Sequence, residues 1–387
     1  MTNKKSNILP IVVMYLLFFM IAFVTNLCNP MAVIVKNNFA MSNFAAQLGN
    51  AANFIAYAAM GIPAGMLLKK IGYRKTALVA ILIGFIGVFL QYMSGWAAIQ
   101  SFWVYLAGAF TAGFCMCMLN TVVNPMLNTL GGGGNKGNQL VQFGGVCNSL
   151  AAVLVTIIMG SLIADATKAQ IADATPALMI ALGVFAFAFL VLLLVKIPEP
   201  AQENEGDKAK DKKYSAFSFR HFNLGILAIF LYMGVEVGVP TYVMQYLTTS
   251  PDAATPGLGI NASIVGMIVA VYWLLMLVGR LLGGMIGGKV SSRAQITGVS
   301  ILCLVLVLLG MFLPTDVMVK MPGIDWATLT IMTAQVPVGV FALILVGLCT
   351  SVMWGGIFNM AVEGLGKYTS IASGAFMTMV CGGGILI

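Results

Sequence analysis

The stretch 223-NLGILAIFLYMGVEVGVPTYVMQYL-247 decides how this chain is read. It is apolar over a length that suffices for one membrane crossing, about 20 residues. Glu236 lies near its centre, between Tyr232-Met-Gly-Val and Val237-Gly-Val-Pro240. A carboxylate at membrane mid-depth is costly, so embedded acids face a cavity and mark a substrate or ion path. The remaining acids fall in or beside loops, which leaves Glu236 as the one embedded acid.

The rest of the chain repeats the pattern without the acid. Hydrophobic residues make up 60% of the 387 positions and charged residues 8%, whereas a soluble domain carries about 25% charged residues. Spans are expected at 8–31, 44–68, 76–95, 99–128, 139–164, 176–197, 223–248, 261–287, 294–313, 336–361 and 368–387. No run of short alternating segments suggests a membrane β-barrel. The fold class is therefore an all-α polytopic membrane protein. The seven cysteines fall inside apolar spans, and Cys115 and Cys117 point apart on a helix, so neither disulfides nor a metal site is expected. The first span is too long for a signal-peptide core and is expected to remain as a helix.

Lys and Arg give the orientation. With the N-terminus in the cytoplasm and sides alternating, 17 of the 20 fall in cytoplasmic segments, Arg280 among them, and only Lys36, Lys168 and Lys320 fall outside. That asymmetry follows the positive-inside rule. It also explains the net charge of +8 without nucleic acid, and some of these cations can meet anionic headgroups. The expected location is the cell inner membrane, multi-pass.

Segment 198–222 is charged, contains proline and is poor in apolar residues, which makes it a cytoplasmic linker. It divides the chain into a bundle of six helices at 1–197 and a second bundle at 223–387. The halves echo each other. Helix two ends Gly61-Ile-Pro-Ala-Gly65 before Lys69, Lys70, Arg74 and Lys75, and helix eight ends Gly279-Arg280-Leu-Leu-Gly283 before Lys289 and Arg293. Glycines four apart let helix backbones approach closely, so two pseudo-symmetric bundles are expected.

Polar side chains inside spans are the candidates for a site. Asn26 and Asn29 share a face of helix one, and Asn120 and Asn124 share a face of helix four. Gln142 and Asn148 follow in helix five, Tyr232 beside Glu236 in helix seven, Tyr272 and Trp273 in helix eight, and Trp354 and Asn359 in helix ten. Asn53 and Tyr57 face either the pocket or helix eleven. Amides donate and accept hydrogen bonds, and aromatic rings cover C–H faces. No Lys or Arg is expected at mid-depth to pair with an anion, so this set suits a neutral sugar. The alternative for any one amide is a hydrogen bond to a neighbouring helix, worth about 1 kcal/mol. Gly131–Gly134 lacks the Gly-Lys-Ser/Thr of a phosphate loop and reads as a turn. Asn261-Ala-Ser263 matches a glycosylation pattern but fits a helix start equally well. No histidine lies in a span and no cofactor is implied.

The helix-two turn with its Lys-Lys pair, Asn120-Thr-Val-Val-Asn124-Pro125, Tyr232-Met-Gly-Val-Glu236 and Phe358-Asn-Met-Ala-Val-Glu363-Gly-Leu-Gly-Lys367-Tyr368 give the chain a specific likeness. It resembles the major facilitator superfamily, and within it the fucose–galactose–glucose:proton symporter family, over nearly its whole length. The resemblance implies twelve helices, so a twelfth is expected to be missing after the eleven spans. It also implies a monomer that moves a monosaccharide (hexose, deoxyhexose or amino sugar) by alternating access. Members of that family carry acids in helices one and four, in Asn-Leu-Asn-Asp and Glu-Thr-Ala-Ala-Asn-Pro. Here those positions are the amides Asn29 and Asn120, which cannot titrate. Glu236 is left as the proton-coupling candidate. Na⁺ coupling, uncoupled facilitation and a sugar sensor without flux remain alternatives.

Overall fold

The computed structural model describes residues 8–162, 170–195, 197–199, 215–249, 251–252, 256–260, 262–325 and 330–386. The first half comprises α1 (Ile8–Asn38), α2 (Asn43–Ile71), α3 (Tyr73–Met93), α4 (Phe102–Leu130), α5 (Gly134–Leu162) and α6 (Thr175–Leu194). The second comprises α7 (Arg220–Thr248), α8 (Ala262–Gly287), α9 (Ser292–Phe312), α10 (Val338–Thr350), α11 (Met353–Val362), α12 (Thr369–Thr378) and the short α13 (Gly382–Ile385). Among the described residues, nine helical segments are long and apolar enough to cross a membrane, with α10 and α11 together forming one of them. The charged run 200–214 and Asn261 lie outside the described residues.

Helices form here because the apolar spans leave the backbone no other partner than itself. Their ends are set locally. Gly72, Gly132, Gly133 and Gly134 all take positive φ, the left-handed conformation that glycine adopts without a steric penalty. They make the abrupt reversals between α2 and α3 and between α4 and α5, so Gly131–Gly134 is a turn. At the first of these reversals, Glu199 accepts from the backbone N–H groups of Tyr73 (2.7 Å) and Arg74 (3.0 Å). A carboxylate there satisfies orphan donors and complements the helix dipole. Arg74 in turn donates to the carbonyls of Leu192 and Leu193, at the end of α6. The start of the expected linker thus staples α3 to α6.

Between α9 and α10 the chain forms an antiparallel hairpin, β1 (Met318–Asp325) paired with β2 (Thr330–Pro337). It packs against α8 at the end away from the basic loops. Residues 314–335 carried no expected element, and the hairpin is an addition to the helical plan.

Two seams join the halves. In one, α2 meets α12 through glycines. A Cβ on Gly65 would lie 2.7 Å from the Ser370 carbonyl oxygen and 3.1 Å from the Gly374 Cα, and one on Gly374 would lie 2.8 Å from the Gly65 backbone. In the other, α5 meets α8, with Gly284 against Phe143, and Gly287 and Gly288 against Gln139. The expected echo between Gly61/Gly65 and Gly279/Gly283 holds only in sequence. The helix-two pair faces the opposite half, whereas Gly279 packs on Ser351 and Gly283 on Val352, inside their own half. Both seams lie toward the end that carries the α2–α3, α4–α5 and α8–α9 turns.

Candidate functional site

Past the seams, midway along the helices, is a cavity of about 160 Å³ walled by both halves. From the first half come Phe18, Thr25 and Asn26 on α1, Asn53, Phe54 and Tyr57 on α2, Asn120 on α4, and Gln142, Gly145 and Asn148 on α5. From the second come Met233 and Glu236 on α7, Trp273 and Arg280 on α8, and Ser351 and Trp354 from the broken α10–α11 span. Amides and aromatic rings dominate the wall, and one ion pair lies on it.

Glu236 and Arg280 are both buried, at 7% and 8% exposure. The Arg280 Nη2 lies 3.3 Å from the Glu236 Oε1. Arg280 also approaches Ser149 Oγ (2.8 Å), the Gly145 carbonyl (3.2 Å), Asn148 Oδ1 (3.2 Å) and, through Nε, the Ser351 carbonyl (3.4 Å). A buried charge needs both a counter-charge and hydrogen bonds, and Arg280 has both. Gly145 makes room for it, since a Cβ there would sit 3.0 Å from the Arg280 Cδ.

Arg280 corrects two expectations. It does not belong to a cytoplasmic turn, so the cytoplasmic tally of 17 loses one member, and a cation does sit at the cavity. Gly279-Arg280-Leu-Leu-Gly283 read as a helix end because its spacing matched that of helix two. The helix in fact continues through Leu281–Ile286 to Gly287. Those apolar residues after the arginine were the signal that it lies inside the span.

The break between α10 and α11 supplies the other half of the site. Ser351 Oγ bonds back to the Leu348 carbonyl, and Gly355 and Gly356 follow in sequence, a combination that breaks regular helical bonding. Two carbonyls at the break find donors elsewhere, Tyr232 donating to Thr350 O (3.1 Å) and Arg280 to Ser351 O. Gln142 adds a bond to Val352 O (2.8 Å), which also accepts from the Gly356 N–H. Irregular backbone at membrane depth is tolerated where it is satisfied in this way and lines a cavity.

The remaining candidates divide by position. Asn26, Asn120, Gln142, Asn148, Glu236 and Trp354 line the cavity. Asn120 donates to the Tyr57 hydroxyl (2.9 Å), which orients both groups. Asn124 lies behind it, fully buried, donating to the Asn120 carbonyl (2.9 Å) and accepting from the Trp354 indole (3.3 Å). Tyr232 and Tyr272 are second-row supports, since the Tyr272 hydroxyl meets the Glu236 carbonyl and Thr350 Oγ1, each at 3.1 Å. Asn359 lies away from the cavity, joined to Asn128 across the halves and donating to Ser292. The side chain of Asn29 lies outside the described residues. Asn53, Tyr57 and Trp273 reach the cavity wall.

The architecture is that of a transporter, with two helical bundles, a polar chamber halfway between them and broken helix beside it. Comparison gives the family. Residues 14–387 match the family model described as Major Facilitator Superfamily, and the chain belongs to that superfamily. It is 26% identical to a protein named glucose/galactose transporter from Brucella abortus, over all of this chain and 87% of that one. It is 23% identical to the L-fucose-proton symporter of Escherichia coli, over 99% of this chain and 86% of that one. The crystal structure of the transporter FucP in its outward conformation superposes with a TM-score of 0.78 at 21% identity, covering 99% of this chain and 91% of that one.

Proposed function

We propose that this chain is a proton-coupled monosaccharide symporter. It would work by alternating access, with its basic end in the cytoplasm and the outer leaflet on the hairpin side. The observation that carries the reading is the Glu236–Arg280 pair on the wall of a chamber otherwise lined by amides, hydroxyls, aromatic rings and aliphatic side chains such as Ile21, Val141 and Val237. Asn26, Asn53, Asn120, Gln142 and Asn148 offer donors and acceptors to sugar hydroxyls. Phe18, Phe54, Tyr57, Trp273 and Trp354 offer faces to the C–H side of a pyranose ring. The relatives named for glucose, galactose and L-fucose transport support the same substrate class.

Arg280 does not turn the site toward anions, because Glu236 already balances it and the chamber stays neutral. The same guanidinium argues against Na⁺. A metal cation at the Glu236 carboxylate would have to displace Arg280 or sit beside a like charge, whereas a proton on the carboxylate needs no such room. The amides at Asn29 and Asn120, where the resembled family carries acids, favour an uncoupled facilitator as the second reading.

One experiment separates the two. Purified protein in proteoliposomes is given labelled glucose, galactose or fucose under an inward proton gradient, with and without a protonophore. Accumulation above the external concentration that the protonophore collapses supports symport. Equilibration unaffected by the gradient would establish facilitation instead.

A further inference from the structure

Below the chamber, toward the end with the basic loops, the halves meet through a second group of amides. Gln142 on α5 and Gly355 on α11 line the chamber and face each other, a Cβ on Gly355 falling 3.0 Å from Gln142 Nε2. The two helices run in opposite directions. Asn138, four residues before Gln142, and Asn359, four residues after Gly355, are therefore both displaced toward the basic end, by one turn or about 6 Å. Asn128 on α4 and Ser292 and Gln295 on α9 complete the group. Asn128 donates to Asn359 across the halves, and Asn359 donates to Ser292 Oγ (3.0 Å). A Cβ on Gly137, next to Asn138, would lie 3.0 Å from Asn128 Nδ2.

Two members are short of partners among the described residues. Asn138 is fully buried, and neither its Nδ2 nor its Oδ1 is hydrogen-bonded. Its Nδ2 lies 3.7 Å from where a Cβ would stand on Gly287 of α8, in the other half. Gln295 donates to the Val290 carbonyl (2.9 Å), but its buried Oε1 is unpaired. That oxygen lies 3.9 Å from the Cβ position of Gly283, one turn from Gly287. An unsatisfied buried polar group costs about 1–3 kcal/mol. A seam that only had to close would be better served by apolar side chains of the same size. None of the five side chains is charged, and Lys136 and Lys289 nearby are exposed.

We infer that Asn128, Asn138, Ser292, Gln295 and Asn359 form a second sugar-binding subsite, one turn below the chamber, which the substrate occupies on its way to or from the basic end when the halves part there. This rests on the monosaccharide reading and adds a station to its path. Parting breaks the Asn128–Asn359 bond and uncovers Asn138 from α8. Donors and acceptors from both halves then face one space, without a charge to favour an anion. Amides that both donate and accept match the hydroxyls of a neutral sugar.

The test compares the two faces of the protein. Sealed membrane vesicles of each orientation are loaded with saturating unlabelled glucose, galactose or fucose. The half-saturation of external labelled sugar, and of its monodeoxy analogues, is measured by exchange, which needs no proton gradient. In the wild type, loss of at least one hydroxyl should raise the half-saturation severalfold at the basic-loop face and not at the hairpin face. Asn138→Ala and Asn359→Ala should each erase that difference, and Asn138→Ser should restore part of it. Asn138 has no bond to lose in the closed seam, so Asn138→Ala keeps the fold. A change in the balance of open and closed states scales every sugar alike and leaves the ratios between analogues intact. Identical analogue profiles at the two faces, or wild-type ratios in both alanine variants, would overturn the subsite and leave sugar transport standing. A wild type that exchanges none of the three sugars would overturn the monosaccharide reading, and the subsite with it.

Discussion

Asn120 and Asn124 are one helical turn apart, yet they do different work. Asn120 reaches the cavity and holds the Tyr57 hydroxyl, so Asn120→Ala should raise the KM for sugar by about tenfold, the equivalent of one good hydrogen bond, with a small loss of stability. Asn124 is enclosed and ties α4 to Trp354. Asn124→Leu should lower thermal stability by about 1–3 kcal/mol, the cost of leaving buried partners unpaired. Uptake kinetics and thermal unfolding of both variants check the pair. Asn138 presents the opposite case. It is buried at the α5–α8 seam, with neither its nitrogen nor its oxygen hydrogen-bonded. Water would satisfy both atoms if the seam parted, so Asn138→Leu should favour the closed seam and shorten the distance between spin labels on cysteines placed at Lys136 and Lys289, both exposed near the seam.

At the scale of elements, the glycine seam between α2 and α12 sets how closely the halves can meet. Gly65→Leu would drive a side chain into the Ser370 carbonyl and Gly374. Overpacking of this kind costs about 1–3 kcal/mol, so it should shift the closed state toward open by about tenfold or more, read as faster labelling of cysteines placed along α12. The staple of Glu199 onto the start of α3 is independent of the cavity. Glu199→Ala should reduce stability by about 1 kcal/mol, as for loss of a helix cap, without changing the KM.

Legibility from sequence also varied by element. The long apolar spans were readable because twenty residues without charge have few other fates. Glu236 was readable because an acid is conspicuous in such a run. Arg280 was hidden by a glycine spacing that imitates a helix end, and its partners on α5 are more than a hundred residues away in the chain. The α10–α11 break was hidden too, because Thr350-Ser351 reads as ordinary helix until the donors from α5, α7 and α8 are in place. The hairpin left little signal, since Pro322 and Gly323 interrupt any alternation in β1.

For the molecule as a whole, two bundles meet through α2–α12 and α5–α8 around a neutral chamber that contains one ion pair. Each half supplies part of the wall, so in the proposed mechanism rocking one against the other would expose the same residues to either side. The central claim is that Glu236 links a proton to that motion. Its most direct test compares wild type and Glu236→Gln for sugar accumulation under a proton gradient and for sugar exchange at equal pH. The account predicts that the variant loses accumulation and keeps exchange. Undiminished accumulation by Glu236→Gln would contradict it.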